Sequence, residues 1–146
     1  MDSGLELLLL FHLACTWALV GLIWTIQVVH YPLFERVGPE HFPAYEAAHA
    51  RRITWVVGPL MLFELASGLA LLALWPPALP AWAGWMLVLL LGLIWLHTAL
   101  VAVPLHARLG RGFDPRAHAW LVRSNWLRTL AWSARGLLLL WLQQNL

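Results

Sequence analysis

The sequence has no lysine, a single cysteine and few charges of either sign: only 11% of its 146 residues are charged. A soluble domain of this length needs roughly a quarter of its residues charged to cover its surface. Water therefore cannot be the only solvent of this chain. The one cysteine, Cys15, sits in an apolar run. An intrachain disulfide, a Cys-x-x-Cys redox motif and a cysteine-type zinc site are all excluded. No P-loop, no Rossmann glycine pattern and no Gly-x-Ser-x-Gly elbow is present. What the chain has in plenty is apolar residues, 62% of the total, with 11 tryptophans among them.

A membrane-spanning helix needs about 20 mostly apolar residues. Four runs qualify, at about residues 5–29, 54–75, 81–103 and 119–142. The sequence thus predicts an all-α, integral membrane four-helix bundle, forming one transmembrane domain over residues 1–146. The first run is too long for a signal-peptide core and is expected to remain as a helix. The arginines give a direction. Arg36, Arg51 and Arg52 fall in the first loop and Arg108, Arg111 and Arg116 in the third, whereas the Trp75–Pro80 turn and both termini hold none. By the positive-inside rule both arginine loops are expected in the cytosol and both termini outside it, in a bacterial inner membrane. Trp75, Trp82, Trp85 and Trp141 then sit where interface aromatics belong. With the arginines explained by topology, nucleic acid is not an expected partner.

The chain also echoes itself. Gly21-Leu22-Ile23-Trp24 returns as Gly92-Leu93-Ile94-Trp95, and Pro32-Leu33-x-x-Arg36 returns as Pro104-Leu105-x-x-Arg108. Pro43 matches Pro115 and Arg51 matches Arg123, at a shift of 71 to 72 residues. The pattern predicts two tandem αα-hairpins, about residues 1–75 and 76–146, related by a pseudo-twofold along the membrane normal. Their polar letters differ, so one asymmetric site is expected rather than two equal ones.

An ionisable residue inside a span is a candidate site. At ~1.5 Å per residue, Glu64 and Arg128 lie at similar depth and are expected to pair, while Arg135 lies deeper, level with His12. Arg123, Asn125 and Arg128 make the last span the most polar. Seven histidines add to this, His30 at the end of the first span and His97 inside the third. Residues Pro43–Arg52 read as a short interfacial helix with Glu46 and His49 at Glu-x-x-His spacing. Three cofactor readings follow. A single metal ion is expected to use some of His30, Glu46, His49 and His97. A haem is expected to take His97 alone, or with His30 or His49, because His12 and His97 differ too much in depth to share one. A quinone-like ligand needs neither.

Two short stretches resemble known families. Phe11-His12, Trp17 and Gly21-Leu22 are similar, with slightly different spacing, to the first helix of the haem-linked, four-helix protoporphyrinogen oxidases. Asn125-Trp126-x-Arg128-Thr129 and Trp132-x-x-Arg135 resemble the last helix of the anthrone-oxygenase-like membrane proteins. Both resemblances imply redox chemistry. The expectation is a membrane oxidoreductase that binds a redox cofactor or a small hydrophobic, quinone-like ligand in the cytosolic half of the bundle. His97, Glu64 and Arg128 are the catalytic candidates. His97, His30, Arg123, Asn125, Arg128 and His12 are the cofactor-binding candidates, with Arg123 and Arg128 holding an anionic group and Glu46 and His49 capping the site. The alternative is a non-enzymatic transporter subunit or an assembly partner of a larger membrane complex. Oligomerisation fits either reading.

Overall fold

A computed structural model describes residues 3–145 as four long helices with no strand among the described residues. Helix α1 runs Ser3–Arg36, α2 Phe42–Ala73, α3 Ala81–Leu109 and α4 Pro115–Gln143. Short loops join α1 to α2 and α3 to α4 at one end of the bundle, called here the loop end. The α2–α3 turn, the start of α1 and the end of α4 lie at the other, the terminal end. Helices α1, α2 and α3 are long and apolar enough to cross a membrane. Helix α4 is long enough, but Arg123, Arg128 and Arg135 interrupt its apolar run.

The helix starts correct the sequence reading. Residues Pro43–Arg52 are not a separate interfacial helix. They are the first turns of α2, which continues without a break to Ala73. No glycine or proline separates Arg52 from Thr54, so nothing local stops the helix. Hydropathy sees only the apolar part and starts the element too late. Helix α4 likewise starts at Pro115, capped by Asp114, whose Oδ1 accepts from the amides of Arg116 at 2.9 Å and Ala117 at 3.1 Å.

Helices α1 and α3 share an irregularity. Each loosens into five residues of π-helix, Ile26–His30 and Thr98–Ala102. Each ends with a bond from an amide to the carbonyl five residues back, Tyr31 to Ile26 and Val103 to Thr98. Pro32 and Pro104 follow directly. Proline has no N–H to bond the carbonyl four residues back, and its ring crowds that carbonyl. The wider turn relieves both. It also rotates the following residue, which buries Tyr31 in α1.

Helix α1 packs along α2 and α4, and α4 packs along α3, but α2 and α3 meet only sparsely. Apolar clusters fill the terminal end (around Leu9, Leu71 and Leu139), the middle (around Leu19, Ile94 and Trp132) and the loop end (around Phe34, Phe42 and Leu121). Polarity is distributed inside out. Trp55, Trp85, Leu89 and Leu100 are exposed, while His12, Glu64, Asn125, Arg128 and Arg135 are buried. Exposed apolar area on this scale is foreign to soluble monomers.

The α4 cap gives a pH test. Above all the Ala117 amide, and then Arg108, whose Nη2 lies 2.5 Å from Oδ2, hold the Asp114 carboxyl below its ordinary value. A depressed folded value means that the carboxylate stabilises the fold above the ordinary aspartate value, about 3.9, and that this is lost as pH falls through the folded value. Asp114→Ala is expected to lower the thermal midpoint at neutral pH. The gap from wild type should close in acid below the folded value. A gap that is constant with pH would show that the carboxylate charge plays no part.

Candidate functional site

The buried polar residues form two layers. The layer nearer the terminal end is built around Glu64 of α2. Its Oε1 accepts from Thr16 Oγ1 at 3.0 Å and from Arg135 Nε at 3.1 Å, and its Oε2 accepts from Trp132 Nε1 at 3.0 Å. Arg135 also donates through Nη1 to the Leu87 carbonyl and through Nη2 to His12 Nε2 at 3.2 Å. Ser67 gives its hydroxyl proton to the Phe63 carbonyl at 2.6 Å, so it accepts from His12 Nδ1 at 2.8 Å. His12 therefore carries its proton on Nδ1. The network draws on all four helices and leaves none of its side-chain nitrogen or oxygen atoms without a partner, as a buried ion pair in low dielectric requires.

This arrangement corrects the expected Glu64–Arg128 pair: Glu64 pairs with Arg135, two turns further along α4. The depth estimate measured from Thr54 and Ala119. The helices start at Phe42 and Pro115, which adds eight residues, or about 12 Å, to their stagger. Arg135 is 1% exposed and lies inside the bundle. The expected level match of Arg135 with His12 is what the structure has.

The second layer lies nearer the loop end. Arg128 donates to Asn125 Oδ1 from Nε at 3.0 Å and from Nη2 at 2.5 Å, to Thr98 Oγ1 from Nη1 at 3.2 Å and to the Tyr31 hydroxyl from Nη2 at 3.5 Å. Asn125 is held in turn by Gln27, whose Oε1 accepts from Asn125 Nδ2 at 2.8 Å. Arg128 has no carboxylate partner, yet it is 6% exposed. Beyond it an arc continues. The Tyr31 hydroxyl is 2.8 Å from His106 Nε2, and His106 Nδ1 is 2.5 Å from Glu46 Oε1. With the ring proton on Nδ1, His106 donates to Glu46 and accepts from Tyr31. The π segments of α1 and α3 bring Tyr31 and Thr98 into this arc.

Arg128, Tyr31, His106 and Glu46 line a cavity of about 670 Å³ between α2 and α3. Most of its remaining wall is apolar, from Leu19, Ile23, Met61, Trp95 and Trp132 among others. Such a size, with a few polar groups in an apolar wall, is that of a small-molecule site. Two of its lining residues carry buried polar atoms without a partner: the acceptor Glu46 Oε2 and the donor Trp95 Nε1. Each costs about 1–3 kcal/mol if left so.

The other candidates are placed as follows. His30 Nε2 and His49 Nδ1 are 2.8 Å apart and bonded to each other. Arg123 is exposed and lines neither this cavity nor its neighbour towards the terminal end. Both ring nitrogens of His97 are buried without a partner, and it too lines neither cavity. His30, His49, His106 and Glu46 stand together near the loop end, the His49 and His106 rings 5.4 Å apart, whereas His97 is bonded to none of them. Among the described residues no three His, Cys, Asp or Glu side chains form a group that could hold a metal. A haem does not fit the donors either. The histidines that line the two cavities, His12 and His106, have both ring nitrogens engaged.

Sequence reasoning missed Tyr31, His106, Thr98 and Trp132 as site residues. His106 looked like one more loop histidine. The signal for Tyr31 was its place directly before Pro32, where a π turn re-aims a side chain. Comparison with protein-family models, with curated proteins and with solved structures gives no match.

Arg135→Met is expected to destabilise the chain by about 3–5 kcal/mol, because it strands a buried carboxylate. Glu64→Leu added to it should recover much of the loss. Arg123→Gln should change stability by less than about 0.5 kcal/mol. Thermal unfolding in mild detergent reads all three. Equal midpoints for Arg135→Met and Arg123→Gln would refute the pairing.

Proposed function

We propose that this chain is a multi-pass membrane protein that binds a quinone-like ligand in the cavity between α2 and α3, as part of an oxidoreductase function. All four helices would span the bilayer, with α4 tolerated because Arg128 and Arg135 face inward and are hydrogen-bonded. The arginine-bearing loop end would face the cytosol and the termini the opposite side. Two features favour the duplication into pseudo-twofold hairpins. The π segments lie 72 residues apart, and Glu64 and Arg135, which meet at the centre, lie 71 apart. Residues close to a twofold axis meet their own counterparts.

The observation that carries the ligand reading is the polar inventory of the larger cavity. Arg128 is a buried cation with no carboxylate partner among the described residues, and the Tyr31 hydroxyl beside it joins it to His106 and Glu46. A ring bearing oxygens that accept hydrogen bonds, and that donate once protonated, suits a cavity lined by this group. The apolar wall suits the ring itself. Arg128 would hold a carbonyl oxygen of the ring. Tyr31, with its hydroxyl between Arg128 and His106, would pass a proton between the ligand oxygen and His106, and Glu46 would fix the imidazole's orientation. The lipid phase would deliver the ligand, since both helices flanking the cavity expose apolar faces.

The test is calorimetric titration of the full chain, in mild detergent, with a tail-less dimethoxy-methyl-benzoquinone. Saturable binding is expected, and Arg128→Gln should weaken it roughly tenfold, or about 1.4 kcal/mol. Wild-type protein that binds no such ring would overturn the reading. Topology is checked separately. In a Cys15→Ala background, a cysteine at Gly112 should react with an impermeant thiol reagent only from the cytosolic side, and one at Ala78 only from the other.

A further inference from the structure

A second cavity, of about 360 Å³, lies between the same two helices nearer the terminal end. Leu65, Gly68 and Leu72 of α2 face Leu87, Leu91 and Gly92 of α3 across it. Trp95 lines both cavities. Along α2 the lining of the first reaches Leu62, and that of the second resumes at Leu65, less than a turn later. The two therefore stand end to end in one cleft. From Trp95 to Gly84 the second section is about 16 Å long. The polar side chains in its wall, His12 and Arg135, are bonded into the Glu64 network, and the rest of the wall is Leu, Val, Gly and Trp, so it presents a largely apolar surface.

The cleft has a cause in the sequence. Its counterpart under the proposed duplication is the α1–α4 seam, and that seam is shut. Trp24 Nε1 donates across it to Ser133 Oγ at 3.0 Å. Gly136 admits Trp17 so closely that a Cβ there would stand 3.1 Å from the indole. Trp95 echoes Trp24, and the position that echoes Ser133 is Met61 or Leu62. Neither offers a hydroxyl, and Trp95 Nε1 is left without a partner. Glycine rather than a larger residue stands at 92, where an added Cβ would meet nothing within 4 Å.

We infer that the second cavity is a tail channel. The ligand is an amphiphile whose oxygen-bearing ring sits at Arg128 and whose apolar prenyl or alkyl chain runs past Trp95 between Leu72 and Gly92. The chain enters sideways from the lipid through the α2–α3 cleft. This rests on the ring-binding reading above, and the experiment separates the two. The tail-less benzoquinone and its decyl derivative are titrated into the full chain in the same detergent, with wild type, Gly92→Leu and Leu69→Trp. The two substitutions plug the channel from opposite walls, and Leu69 is an exposed residue that lines it. In wild type the decyl compound should bind roughly tenfold tighter or more, and both plugs should remove that gain while leaving the tail-less compound unchanged. A decyl gain that survives both plugs, or no gain in wild type, overturns the channel while the ring site stands. The second result would mean that bilayer phospholipid or detergent, not the ligand's own tail, fills the cleft. Loss of tail-less binding in both plugged variants also overturns it, since the channel would then belong to the ring site. If wild type binds neither compound, both readings fail together.

Discussion

Every charge inside this bundle must find a partner, because little of the interior meets water. Glu64 answers that constraint for the whole structure. One carboxylate receives donors from α1 and α4, and Arg135 ties the same knot to a backbone carbonyl of α3. The helices cannot slide along one another by a turn without stranding at least one of these groups. Registry of the four helices, and with it the position of everything nearer the loops, follows from this cluster. The cavity near Arg128 can then keep unpaired polar atoms, because the fold does not depend on them.

The two layers obey opposite rules. Around Glu64 every side-chain nitrogen and oxygen has a partner within the bundle. Around Arg128 the donors reach neutral acceptors, Asn125, Thr98 and Tyr31, and Glu46 keeps one oxygen in reserve. A self-contained network reads as structure, and an incomplete one beside an apolar cavity reads as a site. Proline placement helps to make the difference. Pro32 and Pro104 widen the turns before them, and the widened turns bring Tyr31 and Thr98 to the arginine.

Much of the architecture was legible in the letters. Apolar run length gave the helix count, and the repeated Gly-Leu-Ile-Trp and Pro-Leu pairs marked positions that prove alike in backbone geometry. The start of α2 was not legible, because its first turns carry Glu46, His49, Arg51 and Arg52 and look like a loop to hydropathy. That error propagated to the ion pair, which shifted from Arg128 to Arg135. The partner of Glu46 was out of reach for a different reason. Spacing puts Glu46 and His49 on one face of α2, but it cannot say that His106, sixty residues away, reaches Glu46 first. Contacts of that range are set by how α3 lies against α2, which no local pattern encodes.

His12 has a further consequence. Its Nδ1 proton is committed to Ser67, and its Nε2 lone pair faces an N–H of Arg135. A proton arriving at that ring has nowhere to settle without expelling a guanidinium, and the Glu64 oxygens beside it are already occupied by donors. In the proposed orientation this layer would act as an electrical insulator across the outer half of the bundle. Proton traffic at Tyr31 and His106 would then be wired to the cytosol alone, a sidedness that the proposed duplication would not suggest.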